Sequence, residues 1–164
     1  MAYVGSYAAQ QDYAANPITY SADYYLNDLI AKYQQFSMGA AYEVLDGDGV
    51  KGFSTPLATL HRFQGWADKF LVTPPNGIED YYFTAGYAQK GVGPFAAVSA
   101  LAVYHRFYSE RLSLHYGNEI NGQLQAQWKN FAFTFKYANY QARTFATDTQ
   151  NTYFKSTIFI ETDQ

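Results

Sequence analysis

Cysteine is absent from the 164 residues, which removes disulfide scaffolds, thiolate zinc sites and cysteine nucleophiles at once. Charge is scarce: Asp, Glu, Lys and Arg make up 15% of the chain, against roughly 25% in an ordinary soluble domain. The formal net charge is −3, so the basic excess of a nucleic-acid binder is missing. No run approaches the roughly 18 consecutive apolar residues of a membrane-spanning helix. Met1-Ala2-Tyr3-Val4-Gly5 lacks a basic n-region and an apolar h-region. Either a leader has been trimmed away, or the chain is expected to stay in the cytoplasm. Aromatic residues, by contrast, are abundant at 20%, with 17 Tyr and 13 Phe. That is too much apolar surface for a disordered chain, and the length suits a single domain over 1–164.

Helical periodicity is weak and two-residue alternation is strong. From Glu119 to Trp128 one parity reads Ile120, Gly122, Leu124, Ala126, Trp128, and the other Glu119, Asn121, Gln123, Gln125, Gln127. After Lys129-Asn130 the next run sets Phe131, Phe133, Phe135 and Tyr137 against Ala132, Thr134, Lys136 and Ala138. This is a β-hairpin with one apolar and one polar face.

The same reading places strands at about 2–12, 18–33, 36–45, 80–89, 96–109, 118–128, 131–142 and 152–161. Most reach the roughly 9–11 residues that a tilted strand needs to cross a bilayer. Connections at 34–35, 90–95 and 129–130 are short. Those at 46–79, 110–117 and 143–151 are long, and 13–17 is intermediate. Short turns at one end and long loops at the other are the pattern of an outer-membrane barrel. The expected fold is therefore all-β, an antiparallel up-and-down transmembrane β-barrel of about eight strands, with one long loop at 46–79.

Periodicity alone does not say which face meets water. A soluble sheet turns its apolar face inward, whereas a transmembrane barrel keeps a polar interior. Trp128 and Phe131 flank one short turn and Tyr33 and Phe36 another, as interfacial aromatic belts do. On the membrane reading Ile120, Leu124, Phe131, Phe133, Phe135 and Tyr137 face lipid, and Gln123, Gln125, Thr134 and Lys136 face the interior.

Residues 60–71 read Leu60-His61-Arg62-Phe63-Gln64-Gly65-Trp66-Ala67-Asp68-Lys69-Phe70-Leu71, followed by Thr73-Pro74-Pro75-Asn76-Gly77-Ile78-Glu79-Asp80. This segment resembles a loop of the alginate export family of outer-membrane β-barrels. Thr19-Tyr20-Ser21-Ala22-Asp23-Tyr24-Tyr25-Leu26, Tyr104-His105-Arg106-Phe107 and Phe145-Ala146-Thr147-Asp148-Thr149 resemble further stretches, in family order. The resemblance implies an outer-membrane location and a pore that passes anionic polysaccharide or small anions through a basic lumen, with a lipid bilayer or detergent as partner. Family members are about twice as long or more, so this chain resembles a C-terminal portion. Asn27-Asp28-Leu29-Ile30-Ala31-Lys32 and the ending Ile158-Phe159-Ile160-Glu161-Thr162-Asp163-Gln164, which lacks a terminal aromatic residue, depart from the family pattern, as in a redesigned relative.

Asp46-Gly47-Asp48-Gly49 has the carboxylate spacing of part of a calcium loop, but it lacks the third acidic position and the distal Glu; a turn is expected. His61, His105 and His115 have no metal-like spacing, and His105 is expected at a membrane edge. Ser109 lies too far along the strand from His105 for a nucleophile–base pair, so neither catalysis nor a cofactor is expected. Asp23, Glu43, Arg106, Gln123, Gln125 and Lys136 are the expected lumen residues, and Arg62, Trp66, Asp68 and Lys69 the loop residues of interest. Two other readings stay open: a structural or designed eight-stranded barrel with a filled interior and no transport, and a soluble β-barrel that binds a small apolar ligand.

Overall fold

In a computed structural model of the chain, residues 1–14, 16, 17, 19–55 and 64–159 are described. They form eight strands: β1 (Ala2–Gln11), β2 (Ser21–Tyr33), β3 (Phe36–Leu45), β4 (Ile78–Val92), β5 (Phe95–Tyr108), β6 (His115–Trp128), β7 (Phe131–Ala142) and β8 (Thr149–Ile158). Each strand pairs antiparallel with the next in one sheet of order β1-β2-β3-β4-β5-β6-β7-β8. The all-β up-and-down order is thus as the alternation predicts.

Turn chemistry explains the tight ends. Gln34 (φ 53°) and Lys129 (φ 50°) open their two-residue turns in the left-handed region, and Gly93 (φ 56°) does so before Pro94. Positive φ at the first turn position matches the twist of the flanking strands. The expected connection at 90–95 therefore shrinks to Gly93-Pro94, and β4 runs on to Val92. β6 begins at His115, earlier than expected, after a register shift between Phe107 and Tyr108. All three short turns lie at one end of the sheet; the loops 12–20, 46–77, 109–114 and 143–148 lie at the other.

The two faces differ in an unusual sense. On β6, Glu119 and Asn121 are 0% exposed, while their neighbours Ile120 and Leu124 are 52% and 58% exposed. The pairing register carries this division across the sheet. Glu43 lies opposite Asp80, and His105 opposite Glu119, on the covered side. Phe83 pairs with Tyr104, and Leu124 with Phe135, on the open side. We call the covered side the inner face. The open side presents large apolar residues: Met38, Phe83, Ile120, Leu124, Phe135 and Phe154 are all exposed.

What covers the inner face is the loop between β3 and β4. Phe53, Trp66, Ala67 and Phe70 from that loop join Leu45, Ile78, Phe107, Tyr116 and Tyr140 from the strands in one cluster. Phe70 is its centre, with ring centroids 4.7 Å from Phe107, 5.1 Å from Phe145 and 6.0 Å from both Tyr116 and Tyr140. Burying one such ring is worth about 1.5–3 kcal/mol, so this cluster fixes the loop onto the sheet.

Closure into an eight-stranded ring is not what the structure contains. Among the described residues β1 and β8 make no contact with each other, and β1 is exposed along nearly its whole length. An eight-stranded ring has an interior just wide enough for side chains. Here the inner face carries a folded loop as well, so the sheet stands open.

Candidate functional site

The loop is held by carboxylates that project from the inner face. Glu43 on β3 accepts from Tyr24 Oη at 2.9 Å and from Gln64 Nε2 at 2.7 Å. Glu119 on β6 accepts the backbone N–H groups of Trp66 and, at 2.9 Å, Ala67. Between these anchors, His105 Nδ1 lies 2.8 Å and 3.0 Å from the two carboxylate oxygens of Asp80. All four groups are buried, and the His105 ring stacks on Phe107 at 5.3 Å. Buried carboxylates are tolerable only when donors or an opposite charge face them. For Glu119 those donors are the loop's own N–H groups, so an uncovered inner face would leave it without them.

Cations occupy a different part of the same face. By register Lys32 opposes Ser37, Lys90 opposes Ala97, Gln123 opposes Lys136, and Thr134 opposes Lys155, all on the inner side. Lys136 Nζ stands 5.1 Å over the Trp66 ring. Beside it a cavity of about 300 Å³ is lined by Trp66, Thr134, Lys136, Tyr153 and Lys155. A second groove of about 390 Å³, nearer the short turns, is lined by Lys90, Ser99, Gln125, Gln127 and Thr134. The inner face therefore has an acidic half locked against the loop and a basic, amide-rich half toward the turns.

Of the expected lumen residues, Glu43, Gln123, Gln125 and Lys136 are on the inner face. Arg106 and Asp23 are corrections. Arg106 stands on the outer face opposite Tyr81, donating from Nη2 to Tyr108 Oη at 2.6 Å. β5 carries large residues on both parities, so alternation could not orient it; pairing with β6 does. Asp23 also faces outward, accepting from Tyr7 Oη at 3.2 Å and Tyr25 Oη at 3.0 Å. Adjacent Tyr24 and Tyr25 had hidden the phase of β2. His105 is the third correction: it is a buried inner residue rather than an edge one.

In the loop, Trp66 is buried and Asp68 and Lys69 are half-buried; Arg62 lies outside the described residues. Asp46-Gly47-Asp48-Gly49 forms a turn, with Asp48 Oδ1 accepting from Val50 N at 2.8 Å and Lys51 N at 2.7 Å. Those N–H groups hold the Asp48 carboxyl below the usual carboxylate range. Ser109 Oγ accepts from Leu114 N at 2.9 Å, inside its own turn. Sequence reasoning missed Asp80, Glu119, Lys32, Lys90 and Lys155. The signal was available for the lysines, since counting parity from Lys136 across a two-residue turn or along a ladder assigns each to a face.

No family model matches the chain, and comparison with curated proteins and with solved structures finds no match.

Proposed function

We propose that this sheet is the wall of an outer-membrane β-barrel that passes anionic solutes, polysaccharide among them, past a loop folded onto its inner face. The observation that carries the reading is the inverted sidedness. The fully buried side chains include Glu43, Asp80, Glu119 and Asn121 beside Ile78, Phe107 and Tyr140, while Phe83, Ile120, Leu124 and Phe154 are exposed. In water that division is unfavourable by about 25 cal/mol for each Å² of apolar surface left exposed; in a bilayer it is the favourable one. Aromatics beside the short turns support it. Trp128 stacks on Phe131 at 5.9 Å, and Phe36 lies 5.2 Å from Tyr87, at the level where interfacial rings settle. At the loop end, Tyr42, Tyr81, Arg106 and Tyr108 form a second outer belt.

Selection of anions rests on charge placement. Glu43 and Asp80 already have donors or a histidine facing them and Glu119 has two loop N–H groups on Oε1, while Lys90, Lys136 and Lys155 line the grooves. Lysines with Trp66 and Tyr153 beside them suit a carboxylated sugar, the cation taking the charge and the ring the apolar face.

Site-directed spin labelling tests the membrane assignment, and the cysteine-free chain makes it clean. Nitroxides on Leu124→Cys and Gln125→Cys, one residue apart, should respond oppositely in liposomes. The first should be relaxed by lipid-soluble oxygen and the second by a water-soluble nickel chelate. Relaxation of the Leu124→Cys label by the nickel chelate, or a chain that stays monodisperse without detergent, overturns the assignment.

A further inference from the structure

We propose that Arg106 anchors a phosphorylated lipid on the outer face, with the headgroup phosphate on its guanidinium and an acyl chain lying along β5 toward the middle of the sheet. The inference rests on the membrane reading above and adds a binding site to it.

Arg106 is an outer-face cation with no part in the inner grooves. It projects from β5 between Tyr81 on β4 and Asn118 on β6, and it is exposed. The one ion pair among the described residues joins His105 to Asp80, so no carboxylate there neutralises Arg106. Its contacts are with Tyr108, through Nη2 to Oη at 2.6 Å and over the ring at 5.6 Å. Those contacts leave most of its N–H donors unused. An outward cation is costly at the middle of the bilayer and nearly free at the interface, where lipid phosphate is the anion at hand. The planar guanidinium fork matches a phosphate with two parallel hydrogen bonds.

The wall around Arg106 is shaped to receive such a headgroup. A cavity of about 420 Å³ is lined by Glu79, Tyr81, Phe83, Arg106 and Tyr108. The carboxylate of Glu79 accepts from Tyr42 Oη at 2.6 Å, and the rings of Tyr81 and Tyr108 meet edge-on at 6.1 Å.

Toward the short turns the same wall becomes apolar and then hollow. Phe83, Tyr104 and Ile120 stand side by side and are exposed. In the next row Ala85, Ala102 and Gly122 pair across three strands. With Ala100 they floor a groove of about 590 Å³, walled by Tyr87 and Leu124. A Cβ at Gly122 would meet nothing within 4 Å, so the fold has room for a side chain there and the glycine keeps the groove open. From Arg106 to Ala100 β5 runs about 20 Å at its usual rise per residue. At the roughly 40° tilt of such barrels this is a depth of about 15 Å, half of the roughly 30 Å hydrocarbon core. Cation and groove are therefore separated by the depth of one leaflet. That spacing selects a lipid over a soluble phosphate, which would use the upper cavity alone.

The test is native mass spectrometry of the full chain in detergent, with phosphatidic acid as the probe. The parent should retain phosphatidic acid and release diacylglycerol of the same chains, which lacks only the phosphate. Arg106→Gln should lower retention about tenfold, the loss of a charge-assisted contact. Arg106→Lys should keep part of it, Gly122→Leu should weaken it by filling the groove, and Lys129→Gln, at the other end of the sheet, should leave it unchanged. Equal retention by parent and Arg106→Gln overturns the proposal, as does equal retention of diacylglycerol. Displacement of the lipid by an equal concentration of inorganic phosphate also overturns it, and assigns a free-phosphate site instead. If the Leu124→Cys label reports water while retention still depends on Arg106, the lipid site stands and the membrane reading fails. If that label reports lipid while Arg106→Gln binds like the parent, the site fails alone.

Discussion

Gly65 shows how much a single position carries. Its φ is +82°, and a Cβ built there would run into the Glu119 carboxylate. That closeness is what lets the following N–H groups of Trp66 and Ala67 reach the same side chain. Gly91 has a similar φ of +65° with open space around it. Both glycines satisfy a backbone conformation that L-residues adopt at a cost of about 1–3 kcal/mol, but only Gly65 also has a steric reason. Gly65→Ala should therefore lower the urea midpoint in detergent clearly more than Gly91→Ala, since the clash adds to the strain. Equal losses would mean that the close approach to Glu119 contributes nothing. Glu119→Ala should act in the same direction. It orphans two buried N–H groups, at about 1–3 kcal/mol each.

At the level of elements, the hairpin of β6 and β7 was legible because its two parities differ so sharply: amides on one, rings on the other. The loop was legible only as a length and a composition. Nothing in its spacing says that Gln64 reaches Glu43, 21 residues earlier, or that Phe70 seats among four rings from β5, β6, β7 and the loop after β7. Loops of this length are functional, packed or disordered, and here packing decides. The chain has two tryptophans, Trp66 under the loop and Trp128 in the outer belt, so a Trp128→Phe variant isolates the loop signal. Its emission should be blue-shifted and weakly quenched by aqueous iodide, and Glu119→Ala in that background should increase the quenching. Strong quenching of the parent would mean that the loop does not rest on the sheet.

For the whole molecule, the segregation of charge over the inner face predicts the electrical behaviour. Reconstituted in planar bilayers, the protein should show a steady conductance below that of an open general porin, because the loop between β3 and β4 lies on the inner face. Its reversal potential in a salt gradient should indicate anion preference. Replacing Lys32, Lys90, Lys136 and Lys155 together by Gln should abolish that preference. Arg106→Gln, on the outer face, should leave it unchanged. A cation preference in the parent would assign control to Glu43, Asp80 and Glu119, and would remove the anion reading.

Alternation, turn residues and connection lengths were enough to determine eight antiparallel strands in sequential order, with short turns at one end and long loops at the other. These are local properties: a two-residue period and a turn signal act within a few residues of chain. Face assignment on β2 and β5 was not local, because Tyr24-Tyr25 and the mixed parities of β5 leave the phase ambiguous until a neighbouring strand's register fixes it. His105 shows the consequence, a histidine expected at a membrane edge that becomes the buried partner of Asp80 once β4 and β5 pair. The open edges of β1 and β8 likewise belong to the tertiary structure. Among the described residues the two strands make no contact with each other, and no pattern of alternation records whether a sheet closes.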